Sequence, residues 1–355
     1  MNLSINPVIQ EDIEQIVSVD LPWDTLKDAT VLVTGASGML PSYVVYTLLG
    51  LNDKLNSNIK VIGLVRNEEK ARKILRPILH RSDFRLITQD ITKPLEIEEE
   101  LDYIFHGGSA AKPKEHGLHP SLTMKSNILG TFNLLDLAVE KKCKAFVFFS
   151  SSEIYGDMKD QTQPIQETQY GVIDLLNPRS CYSEGKRACE TICASYQSEC
   201  GIRCVLPRFA HIYGPGLSLD DGRVQADFAA NIIRNQNISM NSDGSSIRAY
   251  TYISDAISGL FFALLKGKEM AYNIADTNRI VSIRQLAEAF VSARPEKRLV
   301  VEFKVPEHQK GIYNPTQFIG LDNSKLSALG WTANVNLDSG VDRMLTYYEK
   351  SEFAE

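Results

Sequence analysis

Short runs of β-branched and apolar residues alternate with longer amphipathic stretches along the first part of the chain. Six of the runs predict strands: Val31–Thr34, Val61–Val65, Phe84–Gln89, Tyr103–His106, Ala145–Phe149 and Arg203–Leu206. The amphipathic stretches between them predict helices: Ser37–Leu49, Glu68–Ile78, Thr123–Glu140 and Pro178–Ser198. Strands and helices that alternate in this way are typical of an α/β fold, a doubly wound parallel sheet with helices on both faces.

The first predicted strand runs directly into a glycine-rich turn, residues 34–41 (Thr-Gly-Ala-Ser-Gly-Met-Leu-Pro). Glycines permit a tight bend and close backbone approach, and the helix that follows directs free N–H groups at a pyrophosphate. A third small residue is usual in such a loop, and Pro41 stands there instead, which removes one amide donor. The turn predicts a dinucleotide site that includes Gly35, Ser37, Gly38, Met39 and Leu40.

The ends of the second and third strands bear on the type of dinucleotide. An NAD site usually has Asp or Glu after the second strand to hold the ribose hydroxyls. This chain has Arg66, whose guanidinium suits the 2′-phosphate of NADP or the face of adenine, although a solvated surface arginine is the alternative. Asp90 and Ile91 are predicted to flank the adenine. The sequence therefore predicts NAD or NADP, with a slight preference for NADP.

The same pattern divides the chain into three regions. Residues 30–212 form the predicted dinucleotide-binding domain, a Rossmann-type sheet. Residues 1–29 form an N-terminal extension with a short helix, because apolar residues such as Ile9 and Ile13 recur there at helical spacing. Residues 213–355 form mainly a smaller substrate-binding lobe, in which Gly-, Asp- and Ser-rich loops separate shorter elements. Some of its segments can return to the Rossmann sheet.

Composition limits the partners of the chain. Its 355 residues are 43% hydrophobic and carry a formal net charge of −6, which disfavours nucleic-acid binding because that needs a basic surface. No apolar run approaches the ~20 residues of a membrane span, and the start has no signal-peptide pattern. The six cysteines form no C-x-x-C pair, as is typical of a reduced cytosolic protein. We expect a cytoplasmic protein without a nucleic-acid, membrane or metal partner.

Tyr182 and Lys186 form a Y-x-x-x-K motif on a predicted helix, where the spacing places both side chains on one face. The pKa of a phenol, near 10, must fall by about three for the group to act as a base at neutral pH, which requires about 4 kcal/mol. A cation about 4 Å away, at an effective dielectric near 20, supplies about that much. The pair is therefore a candidate for proton transfer from a sugar hydroxyl.

The fifth predicted strand ends in residues 150–156 (Ser-Ser-Ser-Glu-Ile-Tyr-Gly). Ligands of such folds bind outside the carboxyl ends of the strands, so a serine and a carboxylate here are expected to face the ligand. A capping box between Ser150 and Glu153 is the alternative explanation. The candidate site residues in this segment are Ser151, Ser152 and Glu153.

Together these motifs resemble the extended short-chain dehydrogenase/reductases of the NAD-dependent epimerase/dehydratase family. Residues 177–187 (Asn-Pro-Arg-Ser-Cys-Tyr-Ser-Glu-Gly-Lys-Arg) and 221–224 (Asp-Gly-Arg-Val) resemble the UDP-glucuronate decarboxylases most closely. The resemblance implies a nucleotide-sugar substrate and a tightly bound NAD(P) that is recycled. It also implies a homodimer through the predicted helices 123–140 and 178–198.

The resemblance implies a mechanism as well. Tyr182 takes the proton of the sugar 4-hydroxyl, Lys186 lowers the pKa of Tyr182 and holds the nicotinamide ribose, and Ser151 bonds the developing 4-keto oxygen. A C6 carboxylate then leaves as carbon dioxide, or a C6 hydroxyl leaves as water with Glu153 handling the C5 proton, or the sugar is re-reduced to its 4-epimer. The residues implied to bind substrate are Ser152, Arg208, His211, Arg223 and Arg248.

Two positions depart from the decarboxylase pattern. Ile319 stands where the decarboxylases carry an arginine for the sugar carboxylate, and His211 stands in place of a usual asparagine. We therefore expect a UDP-glucuronate decarboxylase-like enzyme, with a nucleotide-sugar 4,6-dehydratase or 4-epimerase as the alternative. A catalytically silent cofactor-binding sensor is the alternative of another class.

Overall fold

The computed structural model describes residues 5–109, 113–158, 162–277, 280–304 and 320–351. Its strands are β1 (Thr30–Thr34), β2 (Lys60–Val65), β3 (Phe84–Thr88), β4 (Tyr103–His106), β5 (Ala145–Phe148), β6 (Ser150–Ser151), β7 (Cys204–Phe209), β8 (Ile212–Tyr213), β9 (Ile238–Met240), β10 (Ile247–Ala249), β11 (Thr251–Tyr252), β12 (Ala271–Ile274), β13 (Ile280–Ser282) and β14 (Val301–Phe303). Its helices are α1 (Pro7–Val17), α2 (Met39–Leu55), α3 (Glu68–Ile74), α4 (Pro113–Leu118), α5 (Pro120–Glu140), α6 (Cys181–Cys200), α7 (Val224–Ile233), α8 (Ile253–Leu265), α9 (Ile283–Ser292), α10 (Ser324–Ser327) and α11 (Leu337–Glu349).

Within these ranges, eight strands form one sheet in the spatial order β12-β7-β5-β4-β1-β2-β3, with β6 also paired to β7. All of its strand pairs are parallel. The predicted α/β fold with a Rossmann-type parallel sheet is therefore confirmed. The strand order reverses between β1 and β4, and in such sheets the ligand crevice lies at that reversal, outside the carboxyl ends of the strands.

Strand β12 comes from the part of the chain after residue 212, yet it extends the main sheet by pairing with β7. The shorter strands β10 and β13 form a separate antiparallel pair, and β9 pairs with β14. The domain boundaries at residues 29/30 and 212/213 stay predictions, because strand pairing alone does not divide the chain into domains.

The sheet separates two hydrophobic cores. Side chains alternate across a strand, so Val31 and Val33 of β1 pack in the larger core with α2 and α8, whereas Leu32 packs in the second core with α5 and α6. The helices in contact with the second core include α6, so the helix that carries Tyr182 and Lys186 rests on the sheet along its length. None of the described helices is both long and apolar enough to cross a membrane.

Several elements differ from their predicted bounds for local reasons. Helix α2 begins at Met39 rather than at 37, because Gly35 has a φ of +67° and the turn still continues there. It ends where Asn56 adopts the left-handed conformation, with a φ of 53°. A 3-10 turn, Pro178–Ser180, precedes α6, so the predicted helix from 178 starts as a helix proper at Cys181.

The predicted N-terminal helix is present as α1, and its apolar face lies in the larger core. This helix also buries Asp12 completely. The Asp12 carboxylate accepts hydrogen bonds from the hydroxyls of Tyr43 (2.7 Å) and Tyr252 (3.0 Å) and from Nη2 of Arg343 (2.6 Å). These partners belong to α2, β11 and α11, so the extension is joined to both halves of the molecule.

Candidate active site

A cavity of about 2040 Å³ opens at the carboxyl ends of the main sheet. A pocket for one small ligand usually measures about 300–1000 Å³, so this cavity accommodates a dinucleotide together with a second ligand. The predicted site residues that line it are Gly35, Ser37, Gly38, Met39, Leu40, Arg66, Asp90, Ile91, Ser151, Ser152, Glu153, Tyr182, Lys186, His211, Arg223 and Arg248.

The glycine-rich loop is shaped by close backbone contacts. Gly35 donates its N–H to the Leu64 carbonyl (2.8 Å), and Gly38 donates to the Gly35 carbonyl (2.7 Å) before it caps α2. A Cβ on Gly35 would lie 2.9 Å from the Gly107 oxygen, so no larger residue fits this turn. Met39 and Leu40 at the start of α2 line the cavity. The first amides of a helix have no acceptors within it, so this helix start suits the binding of a pyrophosphate.

Pro41, the departure from the usual loop, is accommodated by a second glycine. The proline lies in the first turn of α2, where its missing N–H costs no helical hydrogen bond. A Cβ on Gly107 would lie 2.5 Å from Pro41 Cγ. The ring of Pro41 therefore fits only because residue 107 is a glycine and has no side chain.

At the adenosine end, Arg66 and Asp90 are exposed on the rim of the cavity. Asp90 Oδ1 accepts hydrogen bonds from the backbone N–H and the hydroxyl of Thr92, both at 2.9 Å. The backbone bond from Thr92 is the largest cause that lowers the pKa of Asp90, and the charge of Arg66 adds to it. Ile91 packs against Gly130 of α5, where an added Cβ would lie 2.7 Å from Ile91 Cδ1.

The structure brings Ser151, Tyr182 and Lys186 together at the end of β6. Lys186 is buried, donates from Nζ to the Phe149 carbonyl (2.7 Å) and lies 4.5 Å from the centroid of the Phe148 ring. Its Nζ lies 5.8 Å from the centroid of the Tyr182 ring. Ser151 and Tyr182 are hydrogen-bonded, which favours the ionised phenol.

The electrostatics of the pair differ from the prediction that Lys186 lowers the pKa of Tyr182. Burial, followed by the charge of Glu153, raises the pKa of Tyr182, while the hydrogen bond from Ser151 and the charge of Arg223 oppose this rise. Burial lowers the pKa of Lys186 to about 8. The lysine ammonium donates a hydrogen bond to the Phe149 carbonyl and not to the Tyr182 hydroxyl.

The residues after Ser151 form a 3-10 turn, Ser152–Tyr155, which presents the Glu153 carboxylate to solvent at the cavity wall. The cap of this turn is Ser151, whose Oγ accepts the Glu153 N–H (3.2 Å), and not Ser150. The Ser150 hydroxyl instead donates to Glu190 of α6 (2.5 Å). Glu153 accepts a hydrogen bond from Ser183 (3.2 Å), which places the carboxylate beside Tyr182.

Two arginines and a histidine line the far wall of the cavity. Arg223 caps α7 and pairs with Asp221 (3.1 Å), and Arg248 lies in β10. His211 has a φ of +45°, and its Nδ1 atom is buried without a hydrogen-bond partner among the described residues. Burial and then the charges of Arg248 and Arg223 lower the pKa of His211 to about 4, so the imidazole is neutral at physiological pH.

The structure corrects the prediction that Arg208 contacts the substrate. This side chain is outside the cavity lining and only 2% exposed. Its guanidinium binds Glu190 of α6 through Nε (2.9 Å) and Nη2 (2.6 Å), and it donates to the Tyr155 hydroxyl (2.9 Å) and the Glu167 carbonyl (2.7 Å). These bonds use the guanidinium to hold α6 against β7.

Comparison with known proteins agrees with this geometry. The model of the NAD dependent epimerase/dehydratase family matches residues 31–275. The chain belongs to this family. UDP-glucuronic acid decarboxylase 3 of Arabidopsis thaliana is 32% identical over 88% of this chain and 87% of its own length, and UDP-glucuronic acid decarboxylase 1 of Xenopus tropicalis is 29% identical over 90% and 72%. The predicted family resemblance is confirmed.

Solved structures with the same fold include enzymes that act on different nucleotide sugars. The UDP-glucuronic acid 4-epimerase of Bacillus cereus, solved with UDP-glucuronic acid and NAD, is 24% identical with a TM-score of 0.73 over 90% of this chain and 98% of its own. The dTDP-glucose 4,6-dehydratase of Bacillus anthracis, solved with NAD, is 17% identical with a TM-score of 0.74 over 91% and 97%. At these identities the likeness shows the fold.

The cavity fits the cofactor of this NAD-dependent family. A Cβ on Gly35 would collide with the backbone of residues 107 and 108, so the turn depends on glycine to stay tight. The first amides of a helix that follows such a turn, here α2, are donors suited to phosphate oxygens. The residues predicted to bind the dinucleotide all line this cavity and would hold it there: Gly35, Ser37, Gly38, Met39, Leu40, Arg66, Asp90, Ile91, Tyr182 and Lys186. Ile319, the other departure noted in the sequence, lies outside the described residues.

Sequence reasoning missed three residues that lie directly behind the cavity lining and contact it. Thr34 and His106 end the paired strands β1 and β4 and are joined by a hydrogen bond of 2.9 Å, and the Thr34 hydroxyl accepts the Gly108 N–H (3.0 Å). Burial, then the charge of Lys186, lowers the pKa of His106 to about 3. Position at the strand ends was the available signal for both residues. The ring of His116 stacks on Tyr182 with centroids 4.4 Å apart, and no sequence pattern indicated it.

Proposed function

We propose that the protein is a UDP-glucuronate decarboxylase-like enzyme that oxidises C4 of a nucleotide sugar and recycles its cofactor. The observation that carries the proposal is the assembly of Ser151, Tyr182 and Lys186 on the wall of a cavity large enough for cofactor and nucleotide sugar. The decarboxylase relatives with 32% identity over most of both chains support the choice of substrate.

The side chains suit the first chemical step. Tyr182 accepts the proton of the sugar 4-hydroxyl, and the Ser151 hydroxyl, which bonds the phenol, also reaches the C4 oxygen as it becomes a carbonyl. We assign Lys186, whose Nζ donates to the Phe149 carbonyl, to the nicotinamide ribose of the bound cofactor. A nicotinamide cofactor bound in this cavity would supply reversible hydride transfer at C4, so the overall reaction would consume no cofactor.

The 4-ketone then makes loss of carbon dioxide feasible. The C6 carboxylate is β to the ketone, so the C5–C6 bond breaks with its electron pair delocalised onto the C4 oxygen. A proton adds to C5, carbon dioxide leaves, and the ketone is reduced again. The net change is loss of carbon dioxide and uptake of one proton, which preserves the nucleotide diphosphate.

The far wall of the cavity suits the diphosphate of that substrate. Arg223 and Arg248 provide guanidinium donors for phosphate oxygens. His211 lines the same cavity, and its neutral imidazole has a buried Nδ1 without a partner among the described residues, which suits a hydroxyl or phosphate group. We assign the substrate contacts to His211, Arg223, Arg248 and Ser152 of the cavity lining.

Glu153 favours one second candidate, a 4,6-dehydratase. Its carboxylate is exposed at the cavity wall beside Ser183 and Tyr182, where it can take a C5 proton while a C6 hydroxyl leaves as water. Product mass separates these reactions after incubation with UDP-glucuronate and, separately, with UDP-, dTDP- and GDP-hexoses. Loss of 44 mass units (about one carbon dioxide) supports the decarboxylase, and loss of about 18 (one water) supports the dehydratase.

The remaining outcomes of that incubation are equally informative. A product of unchanged mass and new retention time identifies a 4-epimerase. A protein that keeps its nucleotide but changes none of these donors contradicts the proposal and favours the cofactor-binding sensor. Steady NAD(P)H consumption would instead show a simple reductase, because the sugar-modifying reactions recycle their cofactor.

We further propose a cytoplasmic homodimer. Helix α5 exposes Leu122, Leu129, Phe132 and Val139, which are 36–45% exposed and spaced to lie along one face beside α6. A row of exposed apolar residues of this kind is typical of an interface. The six cysteines are all free, which suits a reducing compartment. Light scattering of the purified chain and of a Phe132→Asp variant tests the dimer, and a monomeric wild type contradicts it.

A further inference from the structure

The end of strand β2 lacks the group that usually selects NAD. In a site for NAD, an acidic side chain after this strand binds the ribose hydroxyls. Here Arg66 and Asn67 follow Val65, and both line the cavity. Asn67 caps α3, with its Oδ1 accepting the Lys70 N–H (2.9 Å), so its acceptor atom is already used.

The nearest acidic side chains point away from the cavity. Glu68 binds Arg72 (2.7 Å) and Glu69 binds Lys73 (2.9 Å), each one turn further along α3. Neither glutamate lines the cavity. They therefore neither replace the missing ribose ligand nor place a negative charge where a phosphate would lie.

Two cations are left available at this end. Arg66 and Lys70 are exposed, both line the cavity, and neither forms an ion pair in the described part of the chain. The lining continues over Lys73, Arg76 and His80. Asp90 is the acidic residue of this region, and one of its oxygens is bound to Thr92. The adenosine end is thus strongly basic in a chain that is acidic overall.

We propose that this chain prefers NADP to NAD, because Arg66 and Lys70 bind the 2′-phosphate of the adenosine ribose. Arg66 is the principal ligand, since guanidinium and phosphate match as a bidentate pair, and Lys70 adds a second charge. The preference departs from the NAD dependence of the family. It concerns cofactor binding alone, so it does not depend on which sugar reaction the enzyme catalyses.

Binding of two nicotinamide-free fragments tests the proposal without turnover. Calorimetric titration with ADP-ribose 2′-phosphate and with ADP-ribose isolates the contribution of the phosphate. Hydrogen bonds to charged groups contribute about 1.5–3 kcal/mol, so we expect the phosphorylated fragment to bind at least about tenfold more tightly. The nucleotide released from the purified protein by acid and identified by mass is expected to be NADP.

Variants on the exposed rim assign the effect to residues. Arg66→Gln should bring the affinity ratio of the two fragments close to one, Lys70→Gln should reduce it by less, and Arg66→Asp should favour ADP-ribose. Arg72→Gln is the matched control on α3, since Arg72 does not line the cavity. A wild-type ratio below ten, a ratio unaffected by Arg66→Gln, or release of NAD instead of NADP would overturn the proposal. If none of the sugar donors reacts but the phosphorylated fragment still binds at least about tenfold more tightly, the proposed reaction is rejected and the proposed preference for NADP stands.

Discussion

Helices α6 and α1 each bury a carboxylate against an arginine from elsewhere in the chain, but the two clusters serve different ends. Glu190 of α6 receives Nε and Nη2 of Arg208 and the Ser150 hydroxyl. Asp12 of α1 receives one nitrogen of Arg343 and the hydroxyls of two tyrosines. The Nε atom of Arg343 is buried without a partner among the described residues.

The difference lies in how fully each charge is compensated. Burial disfavours the charge of Arg208, but the Glu190 carboxylate outweighs it and raises the pKa of Arg208 above its ordinary value. At Asp12 burial dominates and raises the pKa of the carboxyl to about 6, despite Arg343. One cluster therefore supports a catalytic helix at every pH of interest, while the other is sensitive to pH. A buried ion pair alone indicates neither catalysis nor its absence.

The largest effect is expected from the chemistry that α6 carries. Tyr182→Phe removes the proton acceptor but keeps the ring that stacks on His116. We expect kcat to fall by about 10²–10⁴-fold, the usual contribution of a positioned acid–base group. Binding of the nicotinamide-free fragments should stay within about twofold, because the phosphate loop is untouched. Product formation from UDP-glucuronate measures the first quantity, and fragment titration measures the second.

Tyr196→Phe is the matched control for that variant. Tyr196 lies on the same helix, and its hydroxyl contacts Asp136 rather than the cavity. Its activity should match that of the wild type. If Tyr182→Phe keeps more than a tenth of the wild-type activity, another group is the base. The Glu190–Arg208 pair would then support a helix that does not carry the base.

Breaking the cluster under α6 should affect stability next. Glu190→Gln keeps the shape of the side chain but leaves Arg208, which is only 2% exposed, without its counter-charge. Removing one partner of a buried pair costs about 3–5 kcal/mol, so the free energy of unfolding should fall by about that amount. Urea denaturation measures it, with Glu199→Gln at the exposed end of α6 as the control. A loss below about 1 kcal/mol would show that the pair is dispensable.

The cluster on α1 should show its effect as a pH dependence. Because the folded pKa of Asp12 is raised from 3.8 to about 6, the folded state binds more protons than the unfolded state between these values. Stability from this group is therefore full below about pH 4 and is lost as the pH rises to about 6, by about 3 kcal/mol in all. Asp12→Asn removes that loss, so its stability relative to the wild type should rise by up to about 3 kcal/mol over this range.

Urea denaturation of both proteins at several pH values from 4 to 7 tests this expectation. Glu14→Gln, an exposed change on the same helix, should leave the pH profile of the wild type unaltered. A difference between Asp12→Asn and wild type that does not vary with pH would mean that Asp12 stays ionised throughout this range.

The same comparison shows how far the sequence could lead. Periodicity predicted the strands of the parallel sheet, and parallel strands end at one edge, so Ser151 and the glycine loop were expected at one cavity before any coordinates were known. The Tyr182/Lys186 spacing then placed the pair on one helix face. Both inferences depend only on residues that are close together in the sequence, so the sequence alone is enough to make them.

Partners across the fold were not predictable in this way. Arg208 ends a strand, as a ligand contact would, but its side chain points to Glu190, and no spacing in the sequence indicates that pairing. The apolar spacing that predicts the N-terminal helix does not single out Asp12, and only the packing of α2, β11 and α11 around it makes it buried. Pairings of this kind depend on tertiary contacts between distant segments, so they become visible only in the structure.

The smallest effect is expected at the start of α2, the helix that also supplies Tyr43 to the Asp12 cluster. Gly107→Ala places a Cβ about 2.5 Å from Pro41 Cγ and 3.2 Å from Phe149 Cδ2, so the proline ring must shift. Overpacking of this kind costs about 1–3 kcal/mol. If the Pro41 ring is the cause, Pro41→Gly should recover part of the loss in the double variant, with a coupling of about 1 kcal/mol in a double-mutant cycle. Gly117→Ala, which meets no atom within 4 Å, is the control. If the effects of the two changes are additive, the contact of the new Cβ with Phe149, and not its contact with the Pro41 ring, causes the loss of stability.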